Sequence, residues 1–577
     1  MKTMKIMFVS VLLMVFSFSL INADTGNDFE LMLQKAYKYG KLRVILNLDV
    51  PKIGELTAES SKVKTGDTSR MAQQTGFDAD LKLEKGISSI TDKVLFNLNS
   101  FDYRIVRRYS TLPFVALSVS PEALLRIKSL REVISVSEDR LIPLPKITKS
   151  IPGEDIPGKP SLAQSTEIVG ATKAWSLGIT GAGWYVAILD TGIRPTHEMF
   201  TGKDIVEACY SAEANCPNGT TQMTGPGSAE HYYDYKYLGG FDHGTHVAGI
   251  AAGNNGNGMA GVSKDSNIIA VQVFSYFPAE DDILSWSSDQ IKGLEYIYSL
   301  RNIYNISSVN ISIGGGQYGS FCNGGQYDTA VKNLKNVGIA TVIATGNEYF
   351  CNAVSHPACI EMAIATGATT KSDTMVSFSN WKKGLVDLFG PGVNINSSVA
   401  DNDTRYESWN GTSMAAPHVT GAWGLLKQMD MNITVDKGLQ LLQKYGKMIN
   451  TTCGSGGSVA RIDIGETIQS QLDVAPPINF AGTRKENRAL LQVEYFNDLT
   501  WAINPYNALK NNNIVEYRIY RFKDSVLELL KSVDSNTFAF QHRKTEKDED
   551  YIYAIKAVTD GGKVSIPSYV TIKKSKE

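Results

Sequence analysis

Neither sign of charge is in excess. The chain carries 57 Lys and Arg against 59 Asp and Glu, a formal net charge of −2. A balance this even leaves no electrostatic footprint for nucleic acid or for an anionic membrane surface, so neither is expected as a partner. Cysteine is scarce, at six residues, and no two of them stand as C-x-x-C. That spacing is the usual sequence sign of a zinc or redox site, and its absence weakens both. Beyond the first two dozen residues no apolar run approaches spanning length, which argues against stable membrane insertion. Internal repeats and low-complexity tracts are also lacking, which excludes solenoids and fibrous arrays.

The opening MKTMKIMFVSVLLMVFSFSLINAD does hold one apolar stretch, from Ile6 to Ile21, with Lys2 and Lys5 before it and Ala23 after it. This is the layout of a secretory signal peptide spanning 1–23, and it predicts an extracellular product. In an oxidising compartment Cys209, Cys216, Cys322, Cys351, Cys359 and Cys453 are expected to pair. The spacing does not choose the partners; short loops such as 209–216 and 351–359 are among the options.

After the signal the pattern changes three times. Residues 24–150 contain alternating strands at 41–50, 114–120 and 132–144, with the helical PEALLRIKSL at 121–130 and a polar, turn-rich stretch near 54–75. Strand, helix and strand in so short a space predict a small α+β unit. A Pro- and Gly-containing linker follows at 145–161. From there to 470, apolar runs such as WYVAILDTG, NIIAVQVF, VNISIGG and IATVIATGN alternate with helical patterns. Continuous apolar strands with helices between them predict an α/β fold, a parallel sheet covered on both faces. Residues 471–577 return to short alternating strands and predict a β-sandwich.

Three stretches of the central region carry reactive side chains. Asp190 ends a buried strand in AILDTG, His243 opens a small-residue helix in DHGTHVAG, and Ser413 opens another in NGTSMAAPHV. A hydroxyl needs a base to become a nucleophile, and an imidazole serves near neutral pH. A buried carboxylate can hold that imidazole's tautomer and stabilise its cation. Asn347, at the end of IATGN, can donate its amide to an oxyanion. Each residue has an ordinary structural alternative (a turn, a helix cap, a loop former). The coincidence of all four favours chemistry.

Together these stretches resemble the signatures of the subtilisin-like serine proteases, in that family's order Asp, His, Ser. The resemblance covers about 165–470. It implies a subtilisin-like sheet and peptide hydrolysis through an acyl-enzyme on Ser413, with His243 as base, Asp190 behind it and Asn347 at the oxyanion. His246 is then structural. In NISIGG, Ser312, Ile313 and Gly314 correspond to the substrate-binding strand, and Ile313 and Glu348 are expected to border the pocket. Residues 24–150 resemble the family's inhibitory propeptide, which makes the chain's own N-terminal unit a partner alongside protein substrates. Residues 471–577 resemble a fibronectin type III domain. No cofactor is implied for catalysis. A structural calcium ion is left open: the loop 253–261, with Asn255, resembles the family's calcium loop, but Met199 stands where a carboxylate is usual and Glu198 lies beside it.

Overall fold

The computed structural model describes residues 25–65, 69–145, 148–149, 161–230, 240–489, 492–523 and 526–574. The expected signal peptide, and most of the expected linker, lie outside the described residues.

The N-terminal unit is a four-stranded antiparallel sheet in the order Tyr103–Arg108, Phe114–Val119, Leu42–Leu48, Val133–Glu138. Its strands obey the period of two. Val44, Leu46 and Leu117 pack among the unit's own helices, while Ile45 and Ala116 point the other way and join the core of the central unit. The helix Pro121–Lys128 starts as expected, with Pro121 at its first turn and Ser120 Oγ accepting from the Ala123 amide at 3.1 Å. The stretch expected to be turn-rich is helical at both ends. A short helix runs Ile53–Ser60, and a 27-residue helix runs Arg70–Phe96 with Ser69 as its cap. Glu, Leu and Ala supply the propensity in the first. The second was masked by Gly76, Gly86 and a run of Ser, Thr and Ile.

The central unit is a ten-stranded sheet. Its middle strands, all parallel, run in the order Leu388–Pro391, Ile364–Thr369, Ala340–Ala344, Ile306–Ile311, Tyr185–Asp190, Asn267–Gln272, Ile205–Tyr210. Both faces are covered. Ala187 and Leu189 meet the helices Ser287–Ser299 and Gln326–Asn336, while Val186 and Ile188 meet the helix His243–Ala252. The helix Thr412–Met429 packs on this second face against Ala340, Val342 and Ala344. The direction in which strands are added reverses at Tyr185–Asp190, which has Asn267–Gln272 on one side and the later strand Ile306–Ile311 on the other. The carboxyl ends of strands at such a switch point are where an open α/β sheet places its ligands.

The C-terminal unit is a β-sandwich of one three-stranded and one four-stranded sheet, closed around Trp501, Tyr517, Ile519 and Tyr553. Tyr506 ties it to the central unit, packing in that unit's core and donating to the Gln469 carbonyl at 3.2 Å. All six cysteines are paired, as Cys209–Cys216, Cys322–Cys359 and Cys351–Cys453. Of the two short loops considered from sequence, 209–216 is formed and 351–359 is not. No described helix is long and apolar enough to cross a membrane.

Candidate active site

Asp190 is the last residue of its strand and is wholly buried. Its carboxylate accepts from His243 Nδ1 at 2.8 and 3.0 Å, and Oδ1 also accepts from the Thr191 amide at 2.8 Å. His243 is the first residue of its helix, and the next residue explains how the helix comes so close. A Cβ on Gly244 would lie 2.2 Å from the Gly192 carbonyl oxygen, so only glycine lets the helix start against the Asp190 turn. The pairing leaves His243 Nε2 aimed outward, buried and without a hydrogen-bond partner.

Ser413 is the second residue of its helix. Its hydroxyl donates to the Ser312 carbonyl at 3.5 Å, and its own carbonyl accepts from Ser312 Oγ at 3.1 Å. Pro417 accounts for the second bond. A proline four residues on has no N–H to bond back to Ser413, so that carbonyl stays free for Ser312. In this state the hydroxyl donates to Ser312 and makes no hydrogen bond to His243 Nε2.

Asn347 follows the strand Ala340–Ala344. Its Oδ1 accepts from the Thr412 amide and from Thr412 Oγ1, each at 2.9 Å. With the oxygen held there, the NH2 group is the remaining, donor end of the side chain. His246 and His418 have structural contacts. His246 stacks on Trp409, 4.2 Å between centroids, with Nε2 at 3.0 Å from the Glu407 carbonyl. Burial, ahead of all else, lowers its pKa to about 3. His418 bonds the Met414 carbonyl and Ser165 Oγ, and burial lowers its pKa to about 4.

Ser312 and Gly314 follow the strand Ile306–Ile311 as expected. Ile313 differs: its side chain is fully buried in the core and does not line a pocket. Glu348 is held from behind, accepting from Ser355 Oγ at 3.0 Å and Asn380 Nδ2 at 2.5 Å. Asn380 is a residue that sequence reasoning missed. Its Oδ1 accepts from the Glu348 and Phe350 amides, both at 3.0 Å, and its Nδ2 also donates to the Thr345 carbonyl at 3.0 Å. Gly346, at φ +103°, leaves no room for a Cβ between Asn380, Ser355 and Glu348. Trp409 and Thr412 were missed as well, although both lie within five residues of Ser413.

The calcium loop does not fit its ion. Calcium takes six to eight oxygens. Asn255 Oδ1 is committed to the Asn257 and Met259 amides, Glu198 Oε1 takes the Tyr406 hydroxyl, and Met199 is buried. Among the described residues no group of three or more His, Cys, Asp and Glu could hold a metal.

An Asp–His pair at a sheet's switch point, facing a helix that starts Thr-Ser, is the geometry the sequence signatures imply. Residues 181–458 match the subtilase family. An extracellular serine proteinase of Thermus sp. (strain Rt41A) is 34% identical over 249 residues, 43% of this chain and 52% of its own length. An alkaline protease of Alkalihalobacillus alcalophilus is 29% identical over 336 residues, 58% of this chain and 74% of its own. This chain thus spans about half the length of the first relative. Among solved structures, one of the proteases from Pseudoalteromonas arctica aligns at a TM-score of 0.44 and 23% identity, over 52% of this chain and 94% of that one. The subtilase match begins at Gly181 and ends at Ser458, so it includes the Asp190, His243, Asn347 and Ser413 stretches and neither flanking unit.

Proposed function

We propose that the chain is a secreted serine endopeptidase, synthesised as a latent precursor whose N-terminal unit is removed. The observation that carries this is the buried Asp190–His243 pair, with Nε2 unpartnered, on a helix that packs against the one carrying Ser413 in its first turn. In the reaction, Ser413 Oγ attacks the peptide carbonyl as His243 Nε2 takes its proton. Asp190 fixes the ring so that Nδ1 carries hydrogen and the imidazolium is stabilised. The Ser413 amide and Asn347 Nδ2 donate to the developing oxyanion. His243 then returns the proton to the leaving amine, and water repeats the sequence on the acyl-enzyme. No cofactor has a role in these steps.

Two strand pairings support the latent-precursor part. Leu141–Pro143 pairs antiparallel with Asp282–Trp286, and Thr148–Lys149 pairs with the strand that leads to Ser413, placing Thr148 opposite Asn410. The chain thus adds itself to two strands of the central unit, one of them leading to Ser413, as a substrate added by strand pairing would. Ser413 is only 2% exposed here. The maturation cut accordingly belongs between 143 and 148, at the near edge of the linker expected from sequence. We assign 24–150 as the propeptide unit, 151–470 as the catalytic domain and 471–577 as a fibronectin-like module, with the cut leaving the last few residues of the first unit on the mature chain.

Fluorophosphonate labelling of the secreted protein, with peptide mapping and N-terminal sequencing, tests this. The expected result is an adduct on Ser413 in a form whose first residue lies between 144 and 148. A Ser413→Ala chain should stay uncut. A mature protein that takes no label would leave a binding scaffold as the better description.

A further inference from the structure

The residue just before His243 carries a charge with nothing set against it. Asp242 stands at the N-cap position of the helix His243–Ala252, yet its side chain does not cap that helix. It is 8% exposed, and among the described residues no other residue donates to its carboxylate. Burial, opposed by its own amide and reinforced by the charges of Glu407 and Asp401, pushes its pKa up to about 6. Both of those acids stand on the hairpin formed by Ile395–Ser398 and Tyr406–Asn410, and both are already engaged. Arg405 places one prong on Asp401 and the other on Glu407 Oε1 at 2.6 Å, while Glu407 Oε2 accepts from Trp409 Nε1 at 3.0 Å. Asp242 is therefore a nine-tenths buried carboxylate, ionised in neutral and alkaline solution, near two more acids and with no cation of its own. Keeping an unpaired charge out of water is unfavourable, and a cation brought from outside would relieve it.

The hairpin marks which half of a substrate meets this charge. The chain's own segment pairs through 141–143 with Asp282–Trp286 and through 148–149 with Tyr406–Asn410, where Lys149 stands opposite Trp409. With the cut between the two pairings, Tyr406–Asn410 receives the residues that follow the scissile bond. The Trp409 ring lies parallel to the His243 ring with 6.4 Å between centroids, which sets this strand beside the base and its neighbour Asp242. The sequence around the proposed cut, LPKITK at 144–149, itself places lysines at 146 and 149.

Resting on the reading of the chain as an endopeptidase, we propose that Asp242 is a specificity-determining residue that recognises a lysine or arginine within the first two residues on the leaving side of the scissile bond. The arriving ammonium or guanidinium supplies the donors that the carboxylate lacks, and the acids at 401 and 407 add attraction at longer range. The favoured substrates are then peptides with a cation just after the cut.

Internally quenched peptides with one fixed acyl half test this. They pair arginine with citrulline, its uncharged isostere, at the first or the second leaving-side residue. The secreted, self-processed protein is assayed at about pH 8, where Asp242 is ionised. There kcat/KM should favour arginine by about 10–100-fold at one of the two positions, the range of a charge-assisted hydrogen bond. Asp242→Asn keeps the shape and removes the charge, so that ratio should fall to within about twofold. Asp242 also acts on His243 through space, and the ratio separates the two roles. An effect on the base or on folding changes both peptides of a pair alike and cancels. If the variant is not secreted, the wild-type cut sites in a mixed peptide library decide: lysine and arginine should be enriched at those two positions over their frequency elsewhere. No enrichment, equal kcat/KM within each pair, or a preference that survives Asp242→Asn would overturn the inference and leave the endopeptidase standing. A wild-type protein that cleaves none of the peptides would sink the proposed function, and this inference with it.

Discussion

Asn380→Ala removes the group that holds the Asn347 loop from behind. The alanine leaves two amides, of Glu348 and Phe350, without their partner, while the Thr345 carbonyl keeps the Ser355 amide. Each buried backbone group left unpaired costs about 1–3 kcal/mol. Water entry and relaxation pull the sum toward its lower end, so a loss of about 2 kcal/mol is expected. That corresponds to a fall in Tm of about 4–8 °C. Thermal unfolding is best followed in a Ser413→Ala background, where self-digestion is blocked. In the active chain the same change should lower kcat more than it raises KM, because Asn347 acts only on the oxyanion. The ceiling is about 10²–10³-fold, the value measured for a side-chain oxyanion donor in a subtilisin and taken over here. Asn380→Asp keeps the two acceptor bonds but sets a second carboxylate against Glu348 Oε2. It should be as damaging as alanine at alkaline pH and recover as the pH falls. An Asn380→Ala enzyme with unchanged Tm and unchanged kcat would refute the assignment.

Asp190→Asn should lower kcat by about 10⁴, as the same change does in another serine protease family, because an amide N–H facing Nδ1 selects the wrong tautomer. Steady-state kinetics with KM little altered would support this, and a loss below tenfold would contradict it. His246 and His418 are neutral in the fold, with pKa lowered to about 3 and about 4, so the unfolded chain binds more protons than the native one below about pH 6.5. Their contribution is fully present above that pH and is lost as the pH falls toward the folded values; imidazole NMR should find neither ring protonated at pH 5.5. Replacing both Cys351 and Cys453 by serine opens a connection of 102 residues. By chain entropy this costs up to about 4–5 kcal/mol. Because Cys351 closes the Asn347 loop, half-life at elevated temperature should fall together with kcat.

The chemistry was legible because each reactive side chain sits in a short local signature. Asp190 ends an apolar run before Gly192, His243 and Ser413 each open a helix of small residues, and the strand patterns around them alternate cleanly. What stayed hidden depends on distant partners. Nothing near Asn380 announces that it bonds Glu348 and Phe350, thirty residues earlier. Cys351 finds Cys453 across the sheet edge rather than its neighbour Cys359. Ile313 sits in a motif that resembles the family's substrate-binding strand, yet its side chain belongs to the core, a distinction that only burial makes. The stretch 54–75 looks like an ornament until Thr65 is seen between Ile306 and Val337.

That last contact also bears on how the sheet is assembled. The helix Ser287–Ser299 carries the chain from the strand Asn267–Gln272 to Ile306–Ile311, passing over the Asp190 strand that lies between them. The N-terminal unit grips this crossover along its whole length. Asp139 accepts from the Ser288 amide at the start, and Arg107 pairs with Asp289 at 2.7 Å. Glu295 takes the Ser110 and Thr111 amides at 2.7 and 2.6 Å, and Ser60 with Asp80 hold Tyr298 and Arg301 at the end. A parallel crossover must close a long loop before its strands reward the closure, which makes it a slow step of folding. Holding the helix in place brings the two strands to either side of Asp190 before the rest of the sheet is complete. On the proposed reading of the N-terminal unit as a propeptide, the contacts that hold it are the same ones that position the crossover beside Asp190, so inhibition and templating would share one interface.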